Sequence, residues 1–355
     1  MTKKLTKTAA FTDIHWGAKS NSESHNRDCM NYIEWFCTQV KNDPTIDNIM
    51  FLGDWFENRA ALNISTMDWS YRGAKMLNDL GIPVFFIIGN HDLYHRHTRA
   101  VYSTVNFHEF SNFTLISEPT VVENIGSGVL LCPFLFHNEY PSLVKHNKLD
   151  TWWGHFEFKD FLVTGYGMKM PTGPDANDFS GPKRIVSGHF HKRQQSKNVV
   201  YIGNAFPSNF GDAGDNERGM MVYHHERDEM SFINWGECPK YIRTTLTDML
   251  DGTTTIYQEA RVKCIADVSV SYEEAVFIKE KYVADYNLRE FVLEESNDLQ
   301  QALENTDVDE IEALLEDEEL VGASIDELVV AMLKSIDTDK IDNDLLIAQY
   351  SRLKL

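Results

Sequence analysis

Short apolar runs bounded by Gly, Asp, Asn or Pro recur along the first two thirds of the chain, at positions 8–12, 49–52, 84–88, 129–131, 161–164, 185–187, 199–202 and 220–223. Runs of this length with such boundaries predict buried strands. Between them, positions 26–40 carry Met30, Ile33, Phe36, Cys37 and Val40 at helical spacing, and a second helical pattern over 67–80 is stopped by Gly81 and Pro83. Strands alternating with helices predict an α/β core over residues 1–238.

The pattern changes around Gly236-Glu-Cys-Pro239. A strand over 260–268, a helix over 271–286 and a strand over 290–293 predict a small β-α-β cap within 239–297, its helix opened by the capping box Ser271-Tyr-Glu-Glu274. Residues 298–355 form a third part. Positions 298–320 are too acidic to pack everywhere and read as a solvated helix or a linker. A second capping box, Ser324-Ile-Asp-Glu327, then opens an amphipathic helix with Leu328, Val329, Met332, Leu333 and Ile336, followed by a short apolar helix with Leu345, Leu346, Ile347, Tyr350 and Leu353. Two such helices either fold back on the chain or dock on a partner.

Composition narrows the class. With 43% apolar and 12% aromatic residues in 355, the chain is long enough for a large core and lacks the roughly 20 uninterrupted apolar residues of a membrane span. The start, Met1-Thr-Lys-Lys-Leu-Thr-Lys-Thr8, has no apolar stretch or cleavage site of a signal peptide, so a cytoplasmic protein without a membrane role is expected. The five cysteines are widely spaced with no Cys-x-x-Cys pair, which fits buried side chains in a reducing compartment. A net charge of -21 looks wrong for a nucleic-acid enzyme, but residues 298–355 hold sixteen acidic and four basic residues and so more than half of the excess. A local basic groove in the first part stays open.

Five motifs carry the chemistry: Asp13-Ile-His15, Gly53-Asp54, Gly89-Asn90-His91-Asp92, Gly154-His155 and Gly188-His189-Phe190-His191. Placed where loops leave the carboxyl ends of strands, they can converge on one crevice. Two Asp, one Asn and four His make an oxygen and imidazole donor set suited to manganese, iron or zinc and poor for calcium. Two metals about 3.5–4 Å apart share a bridging carboxylate, for which Asp54 is the candidate. Asp13, His15 and His191 then complete one site, and Asn90, His155 and His189 the other. The alternate spacing of His189 and His191 lets both reach adjacent ions from an extended segment. Such ions activate water for in-line attack on phosphorus. His91 is the candidate proton donor to the leaving oxygen, with Asp92 placed to orient its imidazole.

These motifs resemble those of the calcineurin-like metallophosphoesterases, whose fold is a two-sheet α/β sandwich flanked by helices. The family includes phosphatases, cyclic-nucleotide phosphodiesterases and nucleases, so further residues must choose. Asp13-Ile-His15-Trp-Gly17 is similar to the Asp-x-His-Leu-Gly opening of the nuclease branch, the bacterial SbcD proteins and their meiotic-recombination relatives. The segment from Val200-Tyr-Ile-Gly203-Asn-Ala-Phe-Pro207 through Phe210-Gly-Asp212 to Arg218-Gly219 resembles that branch's Tyr-x-Gly-Ser-Pro and Phe-Gly-Glu segments. The likeness extends to the recombination nuclease subunits of T-even-type bacteriophages, through the compact core, the Gly-His-Phe-Glu fourth motif and the acidic C-terminus.

The resemblance implies an exonuclease and endonuclease subunit acting on double-stranded DNA in repair, recombination or replication. It implies two divalent ions, manganese first and magnesium next, a homodimer, and an SbcC-like coiled-coil ATPase bound by the helices of Ser324–Leu355. It also implies residence in a bacterial or phage-infected cytoplasm. Glu57 stands where many relatives have a histidine, and Asn204-Ala205 replaces Ser-Pro. Arg59, Arg96, Arg99 and Lys169, with Tyr94 and His97, are the candidate DNA contacts.

Overall fold

The structure is a computed structural model that describes residues 3–163 and 168–295. In chain order its elements begin with β1 (Lys7–Phe11), α1 (Ala18–Asn21), α2 (Glu23–Asn42), β2 (Asn48–Phe51), α3 (Ile64–Asn78) and β3 (Val84–Ile87). A hairpin of β4 (Leu93–His95) and β5 (Thr98–Tyr102) leads to β6 (Phe113–Ile116), β7 (Thr120–Val122), β8 (Val129–Cys132) and β9 (Thr151–Gly154). Then come β10 (Arg184–Ser187), β11 (Gln194–Ser196), β12 (Val199–Tyr201), β13 (Gly219–His224) and β14 (Glu229–Asn234). The last elements are β15 (Tyr241–Thr245), α4 (Leu246–Leu250), β16 (Arg261–Ala266), α5 (Tyr272–Tyr286) and β17 (Glu290–Glu295).

The strands make two six-stranded sheets, ordered β14-β13-β1-β2-β3-β6 and β11-β12-β10-β9-β8-β7. Parallel runs make most of each, β1-β2-β3-β6 in one and β12-β10-β9-β8 in the other, with antiparallel strands at one edge of the first sheet and at both edges of the second. Their continuous apolar runs follow from burial on both faces. Ala9, Phe11, Ile49, Phe51, Val84 and Phe86 share a core with Ile33, Phe36 and Val40 of α2 and Ala74 and Leu77 of α3. The alternate residues Ala10, Met50, Phe85 and Ile87 pack instead with Leu131, Trp153, Val186 and Val200 of the second sheet. A third layer covers the far side of that sheet, where Trp152, Ile185 and Tyr201 meet Tyr140, Leu143 and Phe179. This is the two-sheet α/β sandwich the motifs imply, and burial of each large side chain contributes about 1.5–3 kcal/mol.

Two expectations are corrected. The run 161–164 makes no sheet strand: Phe161 and Val163 are buried in the third layer, Leu162 forms one isolated bridge with Lys169, and Thr164 lies outside the described residues. The strand beside that motif is β9, whose adjacent tryptophans face opposite layers. The cap, expected as β-α-β, also gains β15 and α4, giving a parallel sheet ordered β15-β16-β17. Its helix α5 begins with the expected box, Ser271 Oγ accepting from Glu274 N at 3.3 Å and Glu274 Oε2 from Ser271 N at 2.8 Å.

The small sheet is fastened to the sandwich at α2. Asp28, buried on that helix, meets Arg289 at 2.6 Å and the buried Arg261 at 3.5 Å. Tyr241 Oη donates to Ser208 O (2.6 Å) and Arg243 Nε to Phe210 O (3.0 Å). Among the described residues no helix is long and apolar enough to cross a membrane. The tail 298–355, with the helical pair of Ser324–Leu355, lies outside the described residues.

Removing Asp28 strands the buried guanidinium of Arg261 and leaves Arg289 to Glu259 alone. Asp28→Ala is expected to lower stability by about 3–5 kcal/mol, read as the urea unfolding midpoint. A midpoint equal to the parent's would mean that apolar contacts alone dock the small sheet.

Candidate metal centre

Five loops leave the carboxyl ends of β1, β2, β3, β9 and β10, neighbouring parallel strands of two facing sheets, and meet in one crevice. The loops hold each other in strained conformations. Asp13 (φ 50°), His15 (φ 50°), Asp54 (φ 59°) and His189 (φ 89°) all occupy the left-handed region, at about 1–3 kcal/mol each. The β1–β2 pairing continues past the strands to support them: Asp13 N donates to Gly53 O (3.0 Å), Ile14 N to Asp54 O (3.2 Å) and Trp16 N to Trp55 O (2.8 Å). His189 N donates to the Asp13 carboxylate at 3.1 Å.

Helix α2 clamps the first loop from outside. His25 Nε2 donates to His15 O (2.9 Å), Cys29 Sγ to Ile14 O (3.4 Å), and Asn26 Oδ1 accepts from Gly17 N (2.9 Å). Gly89 is there for space, since a Cβ on it would lie 2.1 Å from Asp54 Oδ1.

The seven expected ligands come together, nearly all buried. Asp13, His15 and His191 present donor atoms within 4.8 Å of one another, and so do Asp54, His155 and His189. Asp54 Oδ2 faces both groups, 3.2 Å from His155 Nε2 and 3.9 Å from His15 Nε2. Asn90 Oδ1 joins the second group, 2.9 Å from His155 Nε2 and 3.2 Å from His189 Nδ1. Within the first, His15 Nε2 and His191 Nε2 stand 3.2 Å apart, each 3.9 Å from Asp13 Oδ1.

The outward ring nitrogens are held by partners of their own. His155 Nδ1 donates to Leu52 O at 2.7 Å, and His15 Nδ1 lies 2.7 Å from Glu57 Oε2. His189 Nε2 lies 3.1 Å from Glu157 Oε2, whose other oxygen meets His137. Glu57 and Glu157 were not among the expected site residues. The available signal was position, each being an acid two or three residues after a ligand. His25 gave no signal, because nothing in a helical pattern marks a side chain that reaches a neighbouring loop.

His91 lies against the first group, its ring 5.0 Å from that of His15. The orienting role expected of Asp92 falls elsewhere: His91 Nδ1 donates to Glu57 O at 2.9 Å. Asp92 is fully buried and accepts instead from Gly89 N (3.0 Å), Trp55 N (3.0 Å), Asp54 N (3.1 Å) and Phe56 N (3.3 Å). Arg99 is likewise no free DNA contact, because its buried guanidinium is bidentate to Glu139 (2.5 and 2.6 Å) and donates to Phe134 O and Ser117 O. Arg96 and His97 are exposed in the β4–β5 hairpin, with Tyr94 beside them. Lys169 is exposed, and Arg59 is half-buried after the second motif.

The electrostatics test whether cations fit. Burial and the neighbouring Asp54 raise the Asp13 carboxyl, whereas His155 and His91 hold Asp54 well below the usual carboxylate range despite its burial. Burial opposes protonation of His15 and His155. Glu57 and Asp54 nevertheless push His15 up to about 10, and Asp54 and Asp13 push His155 up to about 9. Protonated imidazoles thus occupy the place of cationic charge, which divalent ions take by displacing those protons. Asp13, His15 and His191 would hold one ion and Asn90, His155 and His189 the other, with Asp54 shared. The donor set fits two divalent metals.

Residues 6–193 match the family model described as calcineurin-like phosphoesterase. The chain is similar to exonuclease subunit 1 of Enterobacteria phage T4, 30% identical over 227 residues, which cover 62% of this chain and 65% of that protein. The chain therefore matches somewhat under two thirds of its relative's length. Among solved structures it is similar to a dimetal phosphatase from Danio rerio, with 9% identity and a TM-score of 0.39 over 65% of this chain and 96% of that one.

Loss of the partner of a ligand histidine is expected to weaken the metal site. Glu157→Ala should reduce divalent-ion affinity about 10–100-fold in a calorimetric titration of metal-free protein. Glu157→Gln, which keeps an acceptor for His189, should lose less. Parental affinity in the alanine variant would reduce Glu157 to a packing residue.

Proposed function

We propose that this chain, which belongs to the calcineurin-like phosphoesterases, is a two-metal DNA nuclease subunit that hydrolyses phosphodiesters by exonuclease and endonuclease cleavage. The carrying observation is the pair of donor groups sharing Asp54 with His91 alongside. The similarity to a phage exonuclease subunit favours DNA over a small phosphate ester. Manganese is the preferred ion, with magnesium second, on the likeness to the nuclease branch, and the carboxylate and amide oxygens of the donor set admit it.

Two divalent cations, when bound, polarise the phosphodiester and a water molecule and offset the charge that develops on the phosphate oxygens. The protein's own groups do the rest. Asp54 presents one oxygen to both sites while its other oxygen accepts from His91 N (2.9 Å), which fixes the distance between ligand and proton donor. The Glu57 carbonyl holds the His91 Nδ1 proton, so in the imidazolium form Nε2 is the nitrogen that gives its proton to the leaving oxygen, which leaves a neutral ring protonated on Nδ1. Asp92 positions the loops and touches no reacting group.

The tail is assigned to an SbcC-like coiled-coil ATPase, because Ser324–Leu355 supplies two apolar helical patterns behind an acidic stretch. Homodimer formation draws support from the exposed Ile64, Met67 and Tyr71 of α3. A role in recombination, repair or replication inside a bacterial or phage-infected cell follows from that reading.

With manganese, the purified protein is expected to degrade end-labelled linear duplex DNA. Rapid hydrolysis of a phosphomonoester or a cyclic nucleotide with DNA left intact would favour the metallophosphatase or cyclic-phosphodiesterase reading instead. His91→Ala should lower kcat on DNA by about 10²–10⁴-fold with metal affinity retained; unchanged cleavage would remove His91 as proton donor. Deleting Ser324–Leu355 is expected to abolish co-purification with the ATPase, and retained co-purification would refute that assignment.

A further inference from the structure

Next to the ligand His191 lies a cavity of about 620 Å³, lined on one side by Lys192 and Arg193 and on the other by the loop from Gly211 to Arg218. The loop is built around Arg218, a fully buried guanidinium. Its Nη1 meets Asp215 at 2.7 Å, its Nη2 meets Asp212 at 3.2 Å, and its Nε donates to Asn204 Oδ1 at 2.6 Å. Asn204 N in turn donates to His191 O (3.0 Å), so this wall and the ligand loop are one unit. The charge of Arg218 is met by carboxylates.

That of Arg193 is not. Its guanidinium is more than half buried, lies 4.0 Å from the centre of the Phe232 ring, and donates only to neutral oxygens, Asn234 Oδ1 (3.0 Å) and Ile202 O (3.4 Å). Among the described residues no carboxylate lies within ion-pair distance of it. Lys192, half-buried, has an ammonium with no hydrogen-bond or ion-pair partner among the described residues. Asp215 and the exposed Glu217 of the facing loop act on Arg193 only from beyond ion-pair distance, and two adjacent, partly desolvated cations with no ion-pair partner make a place that gains from an anion.

Resting on the nuclease reading above, we propose that Lys192 and Arg193 bind a backbone phosphate of the DNA strand beside the scissile one. A phosphodiester at the metal ligands continues as a chain, and the residues that follow His191 are the first cations that chain meets along this wall. The guanidinium is already fixed by Phe232, Asn234 and Ile202, so little side-chain freedom is lost on binding. The free ammonium adds a second charge. Small phosphate esters lack this neighbouring phosphate and gain nothing from the cleft.

The test compares a linear duplex oligodeoxynucleotide with bis(p-nitrophenyl) phosphate in the full-length protein with manganese. Lys192→Ala, whose side chain has no described partner to lose, is expected to reduce kcat/KM on the oligonucleotide about tenfold more than on the small diester. It should also flatten the dependence of log(kcat/KM) on log[salt] by about 0.9, and Lys192→Arg should restore both. Arg193→Gln, which can still donate to a neutral oxygen, should act in the same direction. Equal losses on the two substrates, or none, with an unaltered salt slope in a protein that cuts the oligonucleotide would overturn the cleft alone. Hydrolysis of the small diester with the oligonucleotide left intact would overturn the nuclease reading and the cleft together.

Discussion

A single buried carboxylate, Asp92, accepts four backbone N–H groups from two strand ends, and the shape of the metal site depends on it. Three of those donors, at Asp54, Trp55 and Phe56, belong to the loop after β2, and the fourth, Gly89, to the loop after β3. Hydrogen bonds to a charged acceptor contribute about 1.5–3 kcal/mol each. Left-handed backbone at Asp54 costs about 1–3 kcal/mol, so the four bonds outweigh it. The lock is reciprocal, because His91 N donates back to Asp54. Two loops that alone would each relax are thereby fixed against one another, and Asp54 faces both donor groups as a result. Burial and the neighbouring Asp54 raise Asp92 to about 6, so the carboxylate that organises the site is itself held against an electrostatic penalty.

The second constraint is the tautomer of each imidazole. A histidine binds a metal through a nitrogen that carries no proton, and the partner of the other nitrogen decides which one that is. Leu52 O does this for His155, Glu57 for His15 and Glu157 for His189. Two of these partners are carboxylates, so they add negative charge around the site as well as orientation. His137 and His189 hold Glu157 ionised, down to about 2, in spite of its burial. His191 behaves in the opposite way. Burial and the adjacent His15 push it down to about 3, so it remains a neutral lone-pair donor beside a protonated neighbour.

Much of this was readable in the chain because a strand-end ligand carries a local signature: an apolar run, a glycine, then Asp, Asn or His. That signature located the loops after β2, β3 and β10, with Thr12 in the glycine's place after β1, and the ligand types followed. It failed where structure is decided by tertiary packing. Phe161 and Val163 look like a strand but pack beneath the second sheet without pairing. Asp92 sits beside His91 in sequence, yet its carboxylate turns away to amides 36–38 residues earlier, which adjacency cannot reveal. Arg99 reads as a surface charge until Glu139 and two carbonyls are found around it. In the cap, the helix and two strands were legible from the Ser271 box and the apolar alternation. β15 was not, because Tyr241-Ile-Arg-Thr-Thr245 gains its strand character from pairing with β16.

A net charge of -21 and a polyanionic substrate are compatible because electrostatic reach in salt is short, about 8–10 Å. What a phosphate encounters is set by the groups within that distance, and acidic residues beyond it are screened. Near His191 the groups without an ion-pair partner are Lys192, Arg193 and the exposed Glu217, whereas Asp212 and Asp215 of the opposite wall are engaged by Arg218. The buried Arg218 therefore does more than fill space. By drawing two carboxylates to itself, it keeps them from neutralising Arg193, and a wall rich in acidic residues can still leave its neighbour free to receive an anion.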